Sequence, residues 1–248
     1  MILLFDIGNT HTHLGLADDK RVLRQADIPT FAWFAGGGPG RVKNFLGNAK
    51  INGAALCSVV PRATPVVKKY VQAEWKCNAL ELNPDTIRGV GIDYPKPKSI
   101  GPDRLANAVA SRKRFGAPVV VVDFGTAVTF DVVDARGSYV GGIIAPGMAM
   151  MTNYLHEKTA LLPKIQIRDI RTVIGKSTEE AMLVGAVHGY RGLVRELIRD
   201  LKRELRNQQL PVVATGGYAK LIAARLPEIS AVVPDLTLEG LRLVWEAT

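Results

Sequence analysis

A short segment at the start of the chain recurs once, 117 residues later, and this repeat constrains the fold more than any other feature. Residues 2–5 form an apolar run that ends at Asp6, and residues 119–122 are four valines that end at Asp123. The same register aligns two further identical pairs, Gly8 with Gly125 and Thr12 with Thr129. A short apolar run that ends in a turn indicates a buried strand. The repeat therefore predicts a duplicated domain with two similar halves.

Each apolar run is followed by a turn and then by a second strand-like segment, at His11–Ala17 and at Val128–Val133. Each half is therefore predicted to open with a β-hairpin. Glycine allows a ligand to approach the backbone closely, and the N–H groups of such a turn can point at an anion. One Asp-x-Gly turn by itself would indicate only a structural hairpin. Two turns in register suggest that they face each other across a cleft.

Strand-like and helix-like segments alternate along the rest of the chain, which indicates an α/β fold with mixed sheets flanked by helices. The predicted strands are residues 54–60, 80–82, 138–145 and 211–214, and the predicted helices are residues 64–75, 102–115 and 178–206, with one more after Gly217. The segment Phe31–Gly40 is predicted to be a surface loop. A boundary near Gly116 gives an N-terminal half of residues 1–116 and a C-terminal half of residues 117–248.

The charge balance favours anionic partners, because 32 Lys and Arg oppose 23 Asp and Glu, a net charge of +9. Much of the surplus lies in Arg191–Arg206, where charges alternate with apolar residues at helical spacing. Such a pattern is typical of the solvated face of a helix. No RNA-binding aromatic motif or zinc-finger spacing accompanies it, so nucleic acid is not an expected partner.

Cysteine usage and hydropathy indicate a cytoplasmic protein. The two cysteines, Cys57 and Cys77, have neither metal-ligand spacing nor a CxxC arrangement, which favours a reducing compartment with free thiols. Asp6 interrupts the apolar N-terminus too early for a signal peptide. No apolar run approaches the ~18 residues needed to cross a bilayer, so a membrane is not an expected partner.

Three further segments carry candidate chemistry. In Gly101–Arg104 the proline suits the first position of a helix, which places Asp103 and Arg104 in its first turn. They could complement the helix dipole and form a surface pair, or they could hold a hydroxyl and a carboxylate. The glycines of Thr215–Gly217 lie between a strand and a helix, where they could contact a nucleotide or only make a tight turn. His11 and His13 point to the same side of a strand and could bind a metal, contact phosphate or face solvent.

Taken together, the motifs resemble those of type III pantothenate kinases. They occur in the family's order from residue 1 to about residue 217, and they comprise Asp6–Thr10, Gly101–Asn107, Asp123–Thr129, Gly141–Gly147, Thr159–Pro163 and Ile174–Thr178. The resemblance implies two ribonuclease H-like halves of the actin-like ATPase type, with the nucleotide in the cleft between them. It also implies ATP-dependent phosphorylation of pantothenate, the first step of coenzyme A biosynthesis.

The resemblance further implies roles for individual residues. ATP with Mg²⁺ is expected to bind at Asp6, Ile7, Gly8, Asn9, Thr10, His11, Thr12 and His13, with Thr126 assisting from the second half. Asp103 corresponds to the catalytic base. Pantothenate is expected to contact Tyr94, Gly101, Pro102, Asp103, Arg104 and Thr178, although Pro102 stands where a smaller aliphatic residue is usual. Asp123 corresponds to the ligand of a monovalent cation, K⁺ or NH₄⁺.

A homodimer is the expected assembly of this protein, and two alternative functions are considered beside the kinase reaction. The family is usually homodimeric, with the pantothenate site completed at the subunit interface, and the small residues Ala181, Gly185 and Gly189 would let a helix approach closely. Two alternatives stay open at this point. One is a kinase of the same superfamily that acts on another hydroxy acid or sugar. The other is a transcriptional accessory protein that uses the basic helix Arg191–Arg206.

Overall fold

The computed structural model describes residues 1–248 as eleven strands and eight α-helices. The strands are β1 (Ile2–Ile7), β2 (His11–Ala17), β3 (Val22–Pro29), β4 (Gly53–Ser58), β5 (Leu80–Glu81), β6 (Gly91–Ile92), β7 (Val119–Phe124), β8 (Ala127–Val133), β9 (Ser138–Pro146), β10 (Val212–Thr215) and β11 (Ala231–Val232). The helices are α1 (Gly38–Leu46), α2 (Thr64–Trp75), α3 (Pro102–Phe115), α4 (Met148–Lys158), α5 (Thr178–Val184), α6 (Tyr190–Glu204), α7 (Ala219–Ala223) and α8 (Leu236–Glu246). None of them is long and apolar enough to span a membrane.

The chain divides into two compact units, each assembled from more than one segment. Unit 1 contains residues 1–117, 135–141 and 235–248, and unit 2 contains residues 118–134 and 142–234. The predicted halves, 1–116 and 117–248, share the first of these boundaries but place the C-terminal helix differently. Helix α8 belongs to unit 1 because it packs against α3, β1 and β4. A single boundary in the sequence cannot describe this arrangement, because the last residues of the chain, 235–248, belong to the same unit as the first.

The sheet of unit 1 has the strand order β3-β2-β1-β4-β5. Strands β1 and β2 form the predicted antiparallel hairpin, in which Asp6 is paired with His13, and β4 lies parallel on the other side of β1. The apolar residues of β1 alternate between the two faces, as the pleat of a strand requires. Leu3, Phe5 and Ile7 pack in a core with Val42 of α1 and Val67 of α2.

The opposite face of this sheet is covered by α3 and α8, and glycines make the close approach possible. A Cβ at Gly15 would lie 3.3 Å from the Leu238 side chain, and one at Gly53 would overlap the Trp245 ring. Where α8 crosses α3, a Cβ at Gly240 would overlap the Ala106 carbonyl oxygen. The two helices are therefore held at backbone contact, which fixes α3 on the sheet.

The second sheet has six strands in the order β11-β10-β7-β8-β9-β6. Strands β7 and β8 form the second predicted hairpin, in which Asp123 is paired with Thr129, and β10 lies parallel beside β7. Strand β9 begins in unit 1, where Ser138 and Tyr139 pair with Gly91 and Ile92 of β6. Both hairpins that the repeat predicts are thus confirmed.

One local prediction is confirmed with a modification and one is wrong. The predicted helix 178–206 is helical from Thr178 to Glu204, with a π-helical segment at Gly185–Gly189 between α5 and α6. The segment Phe31–Gly40 is not a surface loop, because Thr30–Trp33 forms a 3₁₀ turn with the Trp33 ring buried and α1 begins at Gly38. The glycines of this segment suggest a loop. Gly38, however, lies at the start of α1 and allows the helix to pack on the Trp33 ring, since a Cβ there would be only 2.6 Å from that ring.

The α3–α8 contact predicts that Gly240→Ala destabilises the protein. Alanine is favoured over glycine in a helix interior by about 1 kcal/mol, but overpacking against the Ala106 backbone costs about 1–3 kcal/mol and cannot be relieved by a side-chain rotation. We expect a net loss of up to about 2 kcal/mol in the free energy of unfolding, measured by urea denaturation. The control is Gly192→Ala on α6, where a Cβ meets nothing within 4 Å. This change should stabilise the protein, and a stabilising Gly240→Ala would contradict the packing described.

Candidate active site

The end of β1 carries a partly buried carboxylate, Asp6, in a cluster of polar side chains. The Cys57 thiol on the neighbouring strand β4 donates a hydrogen bond to Asp6 Oδ1, with a distance of 3.4 Å between Sγ and Oδ1. The pKa of Asp6 is raised from 3.8 to about 6, mainly by burial and partly by the negative charge of Asp103, while the nearby His13 and the thiol hydrogen bond oppose the rise. Asp6 and Asp103 are thus electrostatic neighbours.

The turn between β1 and β2 is anchored by hydrogen bonds to the 3₁₀ turn Thr30–Trp33, which follows β3. Thr30 Oγ1 donates to the Gly8 carbonyl at 2.6 Å, and Thr30 N donates to the Thr10 carbonyl at 3.0 Å. The Thr12 hydroxyl lies 3.1 Å from Thr30 Oγ1 and accepts from Trp33 Nε1 at 3.2 Å. These bonds tie the Gly8 and Thr10 carbonyls and the Thr12 hydroxyl to the 3₁₀ turn. The sequence reasoning missed Thr30 and Trp33, because it assigned the residues from 31 onward to a loop.

The turn residues predicted to bind phosphate divide into two groups. Asn9, Thr10 and His11 are exposed, whereas the side chains of Ile7 and Thr12 are fully buried. Ile7 and Thr12 can therefore offer a ligand only their backbone, and their side chains anchor the turn. Backbone N–H groups in such a turn form a concave site for an anion.

The first turn of α3 carries Asp103, as the sequence predicts. Pro102 is the first helical residue and Gly101 precedes it, so the helix begins immediately before the acid. Asp103 Oδ1 accepts a hydrogen bond from the Arg104 backbone N–H at 2.9 Å. Burial raises the pKa of Asp103, and the hydrogen bond and charge of Arg104 oppose the rise. A Cβ at Gly101 would overlap this carboxylate, which explains the glycine at that position.

The Arg104 side chain lies against one aromatic ring in unit 1, and a second ring packs on the first. The Arg104 guanidinium lies over the Tyr139 ring, 5.7 Å from its centroid. The Tyr94 ring packs edge-on against Tyr139 with 6.1 Å between centroids, and Tyr94 is partly exposed. Tyr94 and Arg104, which the family resemblance selected, are therefore linked through Tyr139, a residue that the sequence reasoning did not identify.

In unit 2, the end of β7 carries Asp123 next to a hairpin turn, as the end of β1 carries Asp6, but different residues surround the carboxylate. Gly216 has a φ of +88°, and a Cβ there would lie 2.5 Å from the Asp123 carboxylate, so the turn Thr215–Gly217 lies against Asp123. Gly147 N donates to the Thr126 carbonyl at 3.1 Å, which holds the second hairpin turn. The structure thus brings together two motifs that the sequence treats separately.

Thr178 lies elsewhere in unit 2, exposed at the start of α5. The Ser177 hydroxyl caps this helix, because it accepts from Glu180 N at 3.2 Å. The Glu180 carboxylate, however, accepts from Lys176 N rather than from Ser177.

The two histidines of β2 do not form a metal pair. Their ring centroids are 6.4 Å apart, and His13 Nδ1 is bonded to Asp27 Oδ1 at 2.6 Å. No group of three His, Cys, Asp or Glu side chains is arranged to hold a metal ion in residues 1–248. The sequence reasoning did not find Asp27, whose partner depends on the pairing of β2 with β3.

The arrangement in unit 1 combines a glycine-containing turn with two partly buried carboxylates, Asp6 and Asp103, whose pKa values are raised. The family model for type III pantothenate kinases matches residues 2–200. A type III pantothenate kinase from Akkermansia muciniphila is 46% identical over 241 residues, covering 97% of this chain and 96% of the relative. One from Methylacidiphilum infernorum is 44% identical over 246 residues, covering 99% of this chain and 88% of the relative.

Among solved structures, component A of the (R)-2-hydroxyglutaryl-CoA dehydratase of Acidaminococcus fermentans is similar in fold. Its TM-score is 0.53 at 14% identity, over 100% of this chain and 96% of that one. At this identity the likeness concerns the fold alone. The predicted fold class, two halves of the actin-like ATPase type with mixed sheets flanked by helices, is confirmed.

The raised pKa of Asp6 predicts a pH-dependent cost to stability. Between the unfolded value of 3.8 and the folded value of about 6, the folded chain retains a proton that the unfolded chain has lost. Stability therefore falls as the pH rises through this window, by up to about 3 kcal/mol. Asp6→Asn cannot ionise, so we expect it to be more stable than the parent chain at pH 7.5 and equally stable near pH 4, measured by urea denaturation.

The control for this measurement is Asp18→Asn. The pKa of Asp18 is lowered by hydrogen bonds from the backbone of Arg21 and Lys20, so its ionised form stabilises the fold above that pKa. This variant should lose stability at pH 7.5, which is the opposite sign. If Asp6→Asn differed from the parent by the same amount at every pH, the explanation by burial of a charge would be wrong.

Proposed function

The chain belongs to the type III pantothenate kinase family, an enzyme family that phosphorylates pantothenate in coenzyme A biosynthesis, and we propose that Asp103 is the base of this reaction. The observation that carries the proposal is the place of Asp103 at the start of α3, with one carboxylate oxygen held by Arg104 N. Burial raises its pKa, which strengthens it as a proton acceptor. Asp6, at the end of the anion-binding turn, lies close enough to sense its charge.

The proton-transfer step needs only a modest base. Phosphoryl transfer has a loose transition state, so positioning and neutralisation of charge contribute most of the catalysis. Asp103 would orient the pantothenate hydroxyl towards the γ-phosphorus of ATP and receive its proton as the new O–P bond forms and the bond from that phosphorus to the ADP oxygen breaks. The bond from Arg104 N leaves the remaining lone pairs of the carboxylate available for this hydroxyl.

We propose that pantothenate contacts Tyr94, Gly101, Pro102, Arg104 and Thr178. Arg104 is suited to the substrate carboxylate, because a guanidinium binds a carboxylate through two parallel hydrogen bonds. Its stacking on Tyr139 limits its freedom before the substrate arrives. Tyr94 extends the same aromatic surface, against which the apolar part of the substrate could pack.

We propose that the ATP phosphates bind at the turn from Asp6 to His13, with Thr126 as a further contact. The Asp6 carboxylate has the oxygen donors that Mg²⁺ prefers, and Mg²⁺ bound with ATP supplies charge neutralisation for the transferred group. Thr30 and Trp33 would keep the turn in its binding conformation through the bonds to Gly8, Thr10 and Thr12.

Asp123 is proposed to bind a monovalent cation, K⁺ or NH₄⁺. The residues paired with it on the neighbouring strands are Thr215 of β10 and Thr129 of β8, which offer hydroxyl oxygens in the same row. Oxygen ligands suit a hard cation.

A cytoplasmic location is proposed as well, since Cys57 and Cys77 are free thiols, as expected in a reducing compartment.

The test of this function is the rate of ADP formation with pantothenate and Mg-ATP, in either K⁺ or Na⁺. We expect turnover that depends on pantothenate and requires K⁺. Asp103→Asn should lower kcat by about 10²–10⁴-fold, the usual contribution of a general base, with little change in the KM for ATP. The control is Asp85→Asn, which removes an exposed acid of the preceding loop and should leave kcat unchanged. An active Asp103→Asn would exclude the proposed base, and ATP turnover on a sugar but not on pantothenate would exclude the substrate.

We also propose that the enzyme is a homodimer that associates through unit 2. This unit exposes several large apolar side chains, which are Ile144, Met150, Tyr154, Leu155, Leu161, Val173 and Ile174. The small residues Ala181, Gly185 and Gly189 form an exposed strip on α5 and the π-helical segment, where a Cβ at either glycine meets nothing within 4 Å. Exposed apolar patches of this kind are typical of protein interfaces.

The proposed dimer can be tested by sedimentation of the parent chain and of an interface variant. We expect the parent chain to sediment as a dimer at micromolar concentration, and Tyr154→Glu to shift it towards monomer, because a buried unpaired charge is costly in an interface core. The matched control is Val66→Glu, which places the same charge on an exposed apolar position of α2 in unit 1. A parent chain that is only monomeric would contradict the proposal.

A further inference from the structure

A cavity of about 430 Å³ opens on the surface of unit 1. It lies between the C-terminal part of α3, the last turn of α8 and the loop that precedes β6. The side chains that line it are chiefly those of Arg88, Val109, Arg112, Lys113, Leu243 and Glu246. A cavity of this volume is in the range that holds small organic ligands.

The cavity is separate from the residues that are proposed to carry out the reaction. None of its lining residues belongs to the turn from Asp6 to His13, and Asp103 lies at the other end of α3. The roughly nine residues from Asp103 to Arg112 span about 14 Å along the helix axis. A small ligand in the cavity therefore does not reach the proposed catalytic base.

The loop that forms one wall of the cavity is tied to α3. Arg112 Nη1 donates a hydrogen bond to the Gly89 carbonyl. Gly89 has a φ of +84°, which glycine adopts without steric cost, and a Cβ there would lie 3.5 Å from Val109 Cγ1. Defined contacts between the loop and the helix therefore build this wall.

Three cationic side chains line the cavity, and none of them forms an ion pair. Arg88 donates to two carbonyls of its own loop, those of Asp85 and Ile87, and Arg112 donates to a carbonyl as well. The Lys113 ammonium makes neither a hydrogen bond nor an ion pair. The structure thus places three positive charges around one concavity without carboxylate partners.

The only acid that lines the cavity, Glu246, does not reverse this charge. Its Oε2 is bonded to Arg242 Nη1 at 2.9 Å, across one turn of α8. Even when Glu246 is counted in full, three positive charges stand against one negative charge. A concave surface with such a surplus concentrates anions.

The rest of the lining is apolar. Val109 is buried and Leu243 is half-buried, and Ala247 adds a small exposed side chain just after α8. An inorganic anion would use only the charged part of this surface. A molecule with an anionic group on an apolar body would use both parts.

We propose that this cavity is a binding site for a small organic anion, which places its carboxylate, phosphate or sulfonate group at Arg88 and Lys113 and its apolar body against Val109 and Leu243. Both cationic side chains are exposed, so they can turn to a ligand without breaking an ion pair. The inference does not depend on the proposed reaction, because no residue of the cavity takes part in it.

The test titrates the full chain with naphthalene-1-sulfonate and measures its binding by saturation-transfer NMR of the probe. Two matched probes separate the parts of the site, since 1-naphthylmethanol lacks the charge and methanesulfonate lacks the apolar body. We expect naphthalene-1-sulfonate to bind at least about fivefold more tightly than either, because only this probe combines burial of an apolar ring with an ion pair. No binding at millimolar concentration would overturn the proposal.

Competition separates the cavity from the proposed active site. Saturating Mg-ATP and pantothenate should not displace naphthalene-1-sulfonate, because the cavity lies at the far end of α3 from Asp103. Displacement by either substrate would locate the probe in the proposed active site and would also overturn the proposal.

A charge reversal tests the cationic part of the site. Lys113→Glu should weaken binding about three- to tenfold, the combined effect of a lost exposed ion pair and of the repulsion that replaces it. The matched control is Lys69→Glu, which makes the same change at an exposed position of α2 outside the cavity and should leave binding unchanged. An equal loss in both variants would show that only the net charge of the chain attracts the probe, and no site would remain.

A filling variant tests the apolar part. Ala247→Trp should abolish binding because the indole occupies the cavity, whereas Ala247→Ser should leave it unchanged. Unchanged binding in Ala247→Trp would place the probe elsewhere and refute the site. If urea denaturation shows that Ala247→Trp loses stability, Arg88→Glu, at an exposed loop position, replaces it with the same expected weakening as Lys113→Glu.

The result is independent of the proposed function. Without the probe, Lys113→Glu should form ADP at the rate of the parent chain, because the change is remote from Asp103. Site-specific binding in a chain without pantothenate-dependent turnover would place the failure in the proposed function alone. Turnover without site-specific binding would place it in the cavity.

Discussion

The mutual repulsion of two partly desolvated carboxylates is the constraint on which the site in unit 1 depends. Asp6 ends a strand and Asp103 begins a helix, and burial raises the pKa of both. Opposing interactions offset part of this cost, the charge of His13 and the Cys57 thiol for Asp6, and the N–H and charge of Arg104 for Asp103. A pair of carboxylates with raised pKa values costs stability, and such pairs are common at functional sites.

Two glycines of unit 1, Gly101 and Gly240, keep the Asp103 carboxylate in its position near Asp6. Asp103 is held near Asp6 because α3 is fixed on the sheet, and α3 is fixed because α8 crosses it at Gly240. The C-terminal segment of the chain therefore serves the site without contributing a side chain to it. Gly101 acts more directly, since any side chain there would occupy the place of the Asp103 carboxylate.

The sequence predicts those parts of the molecule that are encoded locally. Both hairpins, the helices at 64–75 and 102–115 and the place of Asp103 could be predicted because strand and helix patterns, proline and glycine act within a few residues. Thr30 and Asp27 could not be predicted, because their partners are set by the pairing of β3 with β2. The glycines before α1 concealed a helix start that depends on the buried Trp33 ring.

The two copies of the repeated hairpin have diverged in the residues beside the shared acid. In unit 1 the strand register places Cys57 and His13 next to Asp6, and in unit 2 it places Thr215 and Thr129 next to Asp123. An imidazole can carry positive charge and so suits a site for an anion, whereas hydroxyls add oxygen donors and suit a site for a cation. The same backbone position thus has different chemical surroundings in the two units, because single residues on the neighbouring strands decide which groups surround an otherwise equivalent carboxylate.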